Sequence, residues 1–182
     1  QINCGHIRDD DGTIHRLPSN RGEALVDILR GISGKVVIWG YYQEDIRIIC
    51  ELLEREFGAG SYVHYYGETL SEDRPGAVTR FRDAVECRFF VGTPATGGKG
   101  LNGLTVANYS VYYSNHYKLE PRLQSEDRIH RIGQENQCTY IDLAIRGTVD
   151  MAILSALKSK KDLATEILDT IRLAIVASEE AD

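Results

Sequence analysis

The sequence predicts an α/β fold with a mostly parallel sheet that is covered by helices on both faces. Short apolar runs alternate along the chain with segments whose apolar residues recur at helical spacing. The run Lys-Val-Val-Ile-Trp at residues 35–39 is continuous, as in a strand that is buried on both faces. Strands separated by helices favour parallel pairing, because each crossover helix returns the chain to the same edge of the sheet.

Residues 1–20 are expected to form an N-terminal hairpin and a linker. Residues 2–8 and 13–17 flank Asp-Asp-Asp-Gly at 9–12, and Asp-Gly is a strong turn signal. Adjacent side chains on a turn diverge, so we interpret the three aspartates as a solvated turn rather than a metal site. The Pro-Ser-Asn sequence at 18–20 then breaks the chain.

Residues 21–147 form the predicted α/β unit, and residues 148–182 are expected to be a helical extension of the same domain. In the α/β unit, strands are expected at 35–39, 61–66, 88–91, 106–113 and 138–143, and helices at 21–29, 44–57 and 120–131, with a further helix capped by Ser71 that buries Val78 and Phe81. In the extension, helices are expected at 150–157 and 163–176. The basic residues 158–161 between them are interpreted as a helix end and a solvated linker, with a phosphate contact as the alternative.

Composition and charge narrow the possible functions. The net charge of −6 argues against a broad basic surface for nucleic acid, although it leaves room for a narrow track of backbone amides and hydroxyls. The four cysteines are far apart with no CxxC pair, so we expect no metal site and reduced thiols, in a cytoplasmic or nucleoplasm-like compartment. No run approaches the roughly 18 apolar residues of a membrane span, and we expect no membrane partner. The chain opens at Gln1 without a Met, which is compatible with a piece of a longer protein.

A glycine-rich loop at residues 92–102 follows a predicted strand and has to be tested as a P-loop. A Walker A loop requires Gly, four residues, then Gly-Lys-Ser/Thr. Counting back from Gly98-Lys99, the first position is Thr93, and Gly100 stands where the magnesium-binding hydroxyl is needed. We therefore do not assign the primary ATP site here. Two interpretations stay open: a loop that holds an anion or a nucleic-acid phosphate, and a tight strand-to-helix turn.

Tyrosine is abundant, with ten residues that include the pairs 41–42, 65–66 and 112–113. Adjacent residues of a strand point to opposite faces, so one member of each pair is expected to point into the core and the other outwards. Base stacking by the outward members is the minor interpretation.

Residues 124–134, Gln-Ser-Glu-Asp-Arg-Ile-His-Arg-Ile-Gly-Gln, concentrate the charged chemistry. In a helix, Arg128 and Arg131 would lie on one face about one turn apart. Two planar, permanently charged guanidiniums suit a polyphosphate or a pair of carboxylates, and an arginine finger is one such role. The alternative is a solvated helix face on which Glu126 and Asp127 are the partners.

This run resembles motif VI of Swi/Snf-type translocases, within the superfamily 2 helicases. In that family the motif lies on the second of two RecA-like lobes, and its arginines face ATP bound to the first lobe. The resemblance therefore implies catalytic places for Arg128 and Arg131 and a nucleotide-side place for Gln124. It also implies a RecA-like three-layer sandwich, here with an N-terminal hairpin and C-terminal helices.

Other stretches resemble the same family. Residues 93–102 resemble motif V, which implies that Thr93 and Thr96 contact nucleic-acid phosphates and that Gly100 and Asn102 lie near ATP. Residues 35–41 resemble motif IV, and Tyr66-Gly67 followed by Ser71, Arg74 and Phe81 resembles the next motif of the family. Gly67 is therefore expected to let the backbone approach a phosphate. The departures are Ala95, where the family usually has arginine, and an apparent insertion at Gly103, which indicate a divergent branch.

The resemblance implies the C-terminal motor lobe of an ATP-dependent DNA translocase or helicase. ATP and Mg²⁺ would be held mainly by an N-terminal lobe that carries the P-loop, and DNA, as a duplex, would be gripped by its backbone. The isolated chain is then expected to be inactive. The rival is a non-catalytic nucleic-acid or protein binding scaffold with relic helicase motifs. The failed Walker A register disfavours a free-standing nucleotide-binding enzyme.

Overall fold

The computed structural model describes residues 1–67, 69–70, 72–97, 101 and 103–162. Gly100 and Asn102, which were assigned to the nucleotide, Ser71, which was expected to cap a helix, and the helix expected at 163–176 all lie outside the described residues. The strands are β1 His6–Arg8, β2 Ile14–Arg16, β3 Val36–Trp39, β4 Tyr62–Tyr65, β5 Phe89–Gly92, β6 Tyr109–Tyr112 and β7 Thr139–Asp142. The helices are α1 Arg21–Gly31, α2 Gln43–Phe57, α3 Asp73–Asp83, α4 Leu119–Ile129 and α5 at residues 149–162.

Strands β3 to β7 form one sheet in the order β4-β5-β3-β6-β7, and every pairing is parallel. The predicted α/β class and parallel sheet are confirmed. β3 lies at the centre, so its backbone is paired on both sides. Since all five strands run the same way, the loops that leave their carboxyl ends meet at one edge, called here the carboxyl edge of the sheet.

The apolar run of β3 is explained by two cores, one on each face of the sheet. Val36 and Ile38 pack with residues of α1 and α2, while Val37 and Trp39 pack with residues of α3 and α4. All four side chains are completely buried. The indole of Trp39 donates a hydrogen bond of 2.9 Å to the hydroxyl of Ser110, which satisfies its one polar atom inside the core. The layers are therefore helix, sheet, helix.

The expectation for the tyrosine pairs was wrong at two of three places. Tyr65 and Tyr66 are both buried, as are Tyr112 and Tyr113. Adjacent side chains do point to opposite faces, but helices cover both faces, so neither direction leads to solvent. These four rings are consequently not available to stack on bases. Tyr41 and Tyr42 are half-buried.

The N-terminal hairpin is confirmed, with β1 and β2 antiparallel. It packs against α2 through Arg16, whose guanidinium donates to Glu44 at 2.9 Å and to both carboxylate oxygens of Glu51 at 2.5 and 2.7 Å. Deeper in the same contact, the Nε2 of His6 lies 2.8 Å from a carboxylate oxygen of the fully buried Asp45. The hairpin thus rests on the α/β unit, although the domain boundaries at 20 and 147 stay predictions.

Helix α5 differs from the prediction for the basic residues. Residues 158–161 are helical rather than a linker, because residues 149–162 form one continuous helix. The Nζ of Lys160 donates to the carbonyl of Tyr117 at 2.8 Å, and the Nζ of Lys161 lies 2.7 Å from Glu126. At the other end of α5, Asp150 pairs with the buried Arg21. Within the described part of the chain, no helix has the length and apolar character that a bilayer span requires.

Candidate nucleotide and nucleic-acid sites

The residues assigned to nucleic acid meet at the carboxyl edge of the sheet. Thr93 directly follows β5, and Gly67 lies two residues after β4. Thr96 lies in the 3₁₀ turn Pro94–Gly97, and its hydroxyl is 3.4 Å from the carbonyl of Tyr65 at the end of β4. The parallel sheet therefore brings Gly67, Thr93 and Thr96 together, as ligand sites in such sheets are expected to be.

The two threonine hydroxyls bond to each other. Their oxygens are 2.7 Å apart, and the hydroxyl of Thr96 also donates to the carbonyl of Thr93 at 2.8 Å. With the proton of Thr96 directed to that carbonyl, the proton of Thr93 is the one that lies between the two hydroxyls. A phosphate oxygen that replaces the Thr96 hydroxyl as acceptor would form a stronger, charge-assisted bond. Of the two, Thr93 is thus the side chain suited to donate outwards.

Gly67 is exposed in a short turn at the end of β4. The turn is closed by the amide of Thr69, which donates to the carbonyl of Tyr66 at 2.9 Å. Gly67 does not have a positive φ, and among the described residues an added Cβ would meet the side-chain amide nitrogen of Gln43, at 3.4 Å. Arg74 donates to the carbonyl of Thr69 at 3.2 Å and lies over the ring of Tyr65, so it is a local structural partner in this turn.

The two arginines do not share a helix face. α4 ends at Ile129, and His130 has ψ of 81°, so the predicted helix to residue 131 was wrong. Arg128 lies half-buried in the last helical turn, and Arg131 is exposed beyond it. They flank the end of the helix rather than stack on one side of it.

The side chain of Gln134 explains where α4 stops. Its Nε2 lies 3.2 Å from the carbonyl of Ile129, 3.0 Å from that of Thr105 and 2.9 Å from that of Ala107, all acceptors. Gly133, with φ of 100°, lets the chain turn back so that Gln134 reaches them. The end of α4 is therefore tied to the segment that enters β6.

The arginines and the threonines lie at opposite ends of α4. Thr105 and Ala107 precede β6, so the Gln134 contact lies at the edge opposite to the carboxyl edge. The eleven residues of α4 span about 16 Å at 1.5 Å per residue. Two 3₁₀ turns, Pro94–Gly97 and Leu104–Val106, both pack against α4. The described turn Pro94–Gly97 thus lies beside one candidate site, and the described turn Leu104–Val106 lies beside the other.

A groove of about 680 Å³ lies beside the end of α4. His130, Arg131, Asp127 and Lys161 are among the residues that line it. Gln124 lies in the middle of α4, where its amide donates to Glu120 at 3.0 Å. The structure therefore places Gln124 on the same helix as the arginines but bonded to a neighbour one turn earlier.

Comparisons with known proteins identify the family. The model of the helicase conserved C-terminal domain matches residues 20–133, which is most of the chain. The chain belongs to this family. It is 30% identical over 158 residues to the chromatin-remodeling ATPase INO80 of Cryptococcus neoformans, covering 86% of this chain and 9% of that protein. A Caenorhabditis elegans SWI/SNF-related regulator of chromatin is 30% identical over 112 residues, covering 62% of this chain and 11% of that protein.

Among solved structures, the C-terminal part of the Fun30 ATPase domain superposes with a TM-score of 0.68 at 22% identity, covering 74% of this chain and 44% of that one. The fold is therefore RecA-like, and the relatives place the chain among the C-terminal lobes of Swi/Snf-type superfamily 2 proteins, as its motifs indicated. The chain spans about a tenth of the length of the curated relatives it matches.

One residue of this helicase domain that the sequence analysis missed is Arg122, in the first turn of α4. Its guanidinium contacts Glu126, Asp142 and Asn115 at 2.5 to 3.2 Å. The i, i+4 spacing of Arg122 and Glu126 was a visible signal, but the long-range partners were not.

Burial raises the pKa of the Cys4 and Cys50 thiols to about 12, which makes them poor nucleophiles. Among the described residues, no cluster of three or more His, Cys, Asp or Glu is placed to hold a metal ion.

Proposed function

We propose that this chain is the second motor lobe of an ATP-dependent, Swi/Snf-type DNA translocase. ATP and Mg²⁺ are held mainly by an N-terminal lobe with the P-loop, and this lobe completes the site with Arg128 and Arg131. The observation that supports it best is the position of Arg131, exposed directly after a helix that side-chain contacts fix at both ends. The fixed helix defines the backbone position from which the Arg131 guanidinium reaches a phosphate on another lobe.

The proposed chemistry is neutralisation of the negative charge that develops as the γ-phosphoryl group is transferred to water and ADP leaves. Arg131 is the finger that approaches the transferred group, because it is the exposed one of the two. Arg128, half-buried in the last turn, supports the phosphates from the helix side. Gln124 exchanges its bond with Glu120 for one with the nucleotide, and Gly100 and Asn102 approach the same ligand from the motif V loop.

The proposed DNA contact lies at the carboxyl edge of the sheet. Thr93 donates its hydroxyl to a phosphate of a DNA duplex, Thr96 orients that hydroxyl, and Gly67 lets the backbone come close. Contacts of this kind follow the sugar-phosphate backbone without reading sequence, as translocation requires. Closure on ATP moves the DNA grip through α4, against which the turns Pro94–Gly97 and Leu104–Val106 both pack.

The same proposal fixes what the chain does alone. Without the P-loop lobe it does not hydrolyse ATP, and its net charge of −6 keeps its own affinity for DNA low. Its reduced thiols fit a cytoplasmic or nucleoplasm-like compartment.

The test is Arg131→Ala in the full two-lobe protein, with DNA-stimulated ATPase as the readout. We expect the turnover rate to fall on the order of 10³-fold while ATP still binds, because an arginine finger acts on the transition state. Arg8→Ala is the matched control, since Arg8 is an exposed arginine on the hairpin. Full activity of the Arg131 variant would overturn the finger role, and absence of ATPase in the unaltered protein would favour a non-catalytic scaffold.

A further inference from the structure

The side chain of Arg122, on the helix that leads to the two motif arginines, makes many contacts. Arg122 lies in the first turn of α4, at the carboxyl edge, and its side chain is only 12% exposed. We propose that Arg122 is a positioning residue that sets the orientation of α4, and through it the places of Arg128 and Arg131. This inference rests on the proposed function and adds a residue to it.

Every nitrogen of the Arg122 guanidinium has an acceptor. Nε donates to Glu126 at 2.7 Å, one terminal nitrogen donates to Asp142 at 2.5 Å and to Asn115 at 3.0 Å, and the other donates to Asp142 at 3.2 Å. The plane of the group lies over the ring of Tyr112, with 3.5 Å from its central carbon to the ring centroid. The planar guanidinium is thus contacted on its face by an aromatic ring and along its edges by oxygen acceptors.

Two of these partners, Tyr112 and Asp142, belong to the sheet, which makes the contact a fixed reference. Tyr112 ends β6 and Asp142 ends β7, the two strands that α4 connects. A second bond lies beside the first: the hydroxyl of Tyr112 is 2.8 Å from that of Ser125, which in turn donates to the carbonyl of Arg122. The first half of α4 is therefore locked to the ends of two adjacent strands.

The other end of α4 is held by Gln134. Arg128 and Arg131 therefore lie, in sequence, between the fixed residues Arg122 and Gln134. Arg122 and Arg128 are six residues apart, about 9 Å along the helix axis. Rotation or lifting of the first turn is transmitted over that distance, because a helix moves as a rigid rod on this scale. A displacement of about 1 Å of a positioned catalytic group lowers rates by about 100-fold.

The charges around Arg122 indicate that its loss would release α4. Glu126 and Asp142 both face the guanidinium, and the ammonium group of Lys161 from α5 lies 2.7 Å from Glu126. Without Arg122, the side-chain partner that the described residues leave to Asp142 is the amide of Asn115, 2.7 Å away. The carboxylates would draw water into this junction, and the first turn would separate from β7. Lysine cannot replace the contact, since one ammonium group cannot bridge both carboxylates and lie flat on the ring.

The experiment compares Arg122→Gln and Arg122→Lys with the unaltered two-lobe protein. We expect kcat of the DNA-stimulated ATPase to fall about 10- to 100-fold in both. KM for ATP and the DNA concentration for half-stimulation should change less than about threefold, because ground-state binding is made by other groups. Arg88→Gln is the matched control. Arg88 donates to the carbonyls of Leu29 and Ile32 on the opposite face of the sheet, so its loss should lower stability without this kcat effect.

The double variant Arg122→Gln with Arg131→Ala separates this inference from the proposed function. Because Arg122 acts through Arg131 and also through Arg128, Arg122→Gln should slow the Arg131→Ala protein by a smaller factor than it slows the unaltered protein. An inactive Arg131→Ala beside a fully active Arg122→Gln would overturn the positioning role and leave the finger role intact. An effect on kcat equal to that of Arg88→Gln at equal loss of stability would also overturn it. An active Arg131→Ala would remove the proposed function itself.

Discussion

Replacing Gln134 tests how the end of α4 is held. Its amide has two N–H donors facing three carbonyl oxygens, so at most two strong bonds form at once, and its Oε1 accepts a third from the amide of Asn136 at 3.0 Å. Three hydrogen bonds at about 1 kcal/mol each give about 3 kcal/mol. Gln134 is half-buried, so water replaces part of this, and we expect Gln134→Ala to lower the free energy of unfolding by about 1.5 kcal/mol.

Gln134→Glu sharpens the test, because it keeps the shape of the side chain and reverses its hydrogen-bonding character. A carboxylate can still accept from Asn136, but it directs an acceptor at three other acceptors. We expect this variant to lose about 3 kcal/mol, more than the alanine variant despite the smaller change in size. Urea unfolding of the 182-residue chain measures both values. In thermal unfolding, the alanine variant should melt about 3–6 °C lower.

The relative stability of the two variants shows whether Gln134 donates to the three carbonyls. If Gln134→Glu were as stable as the unaltered chain, or more stable than Gln134→Ala, then Gln134 would not act as a donor to these carbonyls. The account of why α4 ends at Ile129 would fail with it.

Two further variants test other junctions. Asp150→Asn should lower the free energy of unfolding by about 3 kcal/mol at neutral pH, since it leaves the buried Arg21 without its carboxylate. Burial raises the pKa of Asp150, but the backbone amide of Ile145 and the guanidinium of Arg21 lower it, and the net result is a pKa below 3.8. The difference in unfolding free energy between Asp150→Asn and the unaltered chain should therefore vanish as the pH falls through that lowered pKa. A difference in urea midpoints that does not change with pH would contradict this. Gly92→Ala should cost about 2 kcal/mol, because its Cβ would lie 2.9 Å from the backbone carbonyl of Tyr65, and an unchanged melting temperature would refute the close packing there.

The sheet could be predicted from the sequence because its signal is local. A strand buried on both faces, such as β3, has to be apolar at every position, and the alternation with helical spacing then sets the parallel arrangement. The tyrosine pairs show the limit of local reasoning. Alternation correctly put Tyr112 and Tyr113 on opposite faces, but their exposure depended on helices that come from distant parts of the chain.

In the candidate site, too, the residues that local sequence could indicate differ from those that depend on long-range contacts. The motif pattern indicated Arg128 and Arg131, whereas their relative geometry depended on Gln134 reaching back to Ile129 and across to Ala107. Arg122 was missed because its main partners are 7 and 20 residues away in sequence and meet only when β6 and β7 pair. Likewise, the basic residues 158–161 looked like a linker because nothing local showed the contacts that α5 makes with α4 and its preceding loop.

The central claim is that this chain is the second of two motor lobes and needs the other lobe for catalysis. The measurement that tests it most directly is ATPase activity, with and without duplex DNA, of this chain alone and of the full-length protein that carries it. The account predicts no turnover by the isolated chain and DNA-stimulated turnover by the full-length protein. Turnover by the isolated 182 residues would contradict it, because the loop at residues 92–102 would then have to bind ATP and support hydrolysis without the P-loop of another lobe.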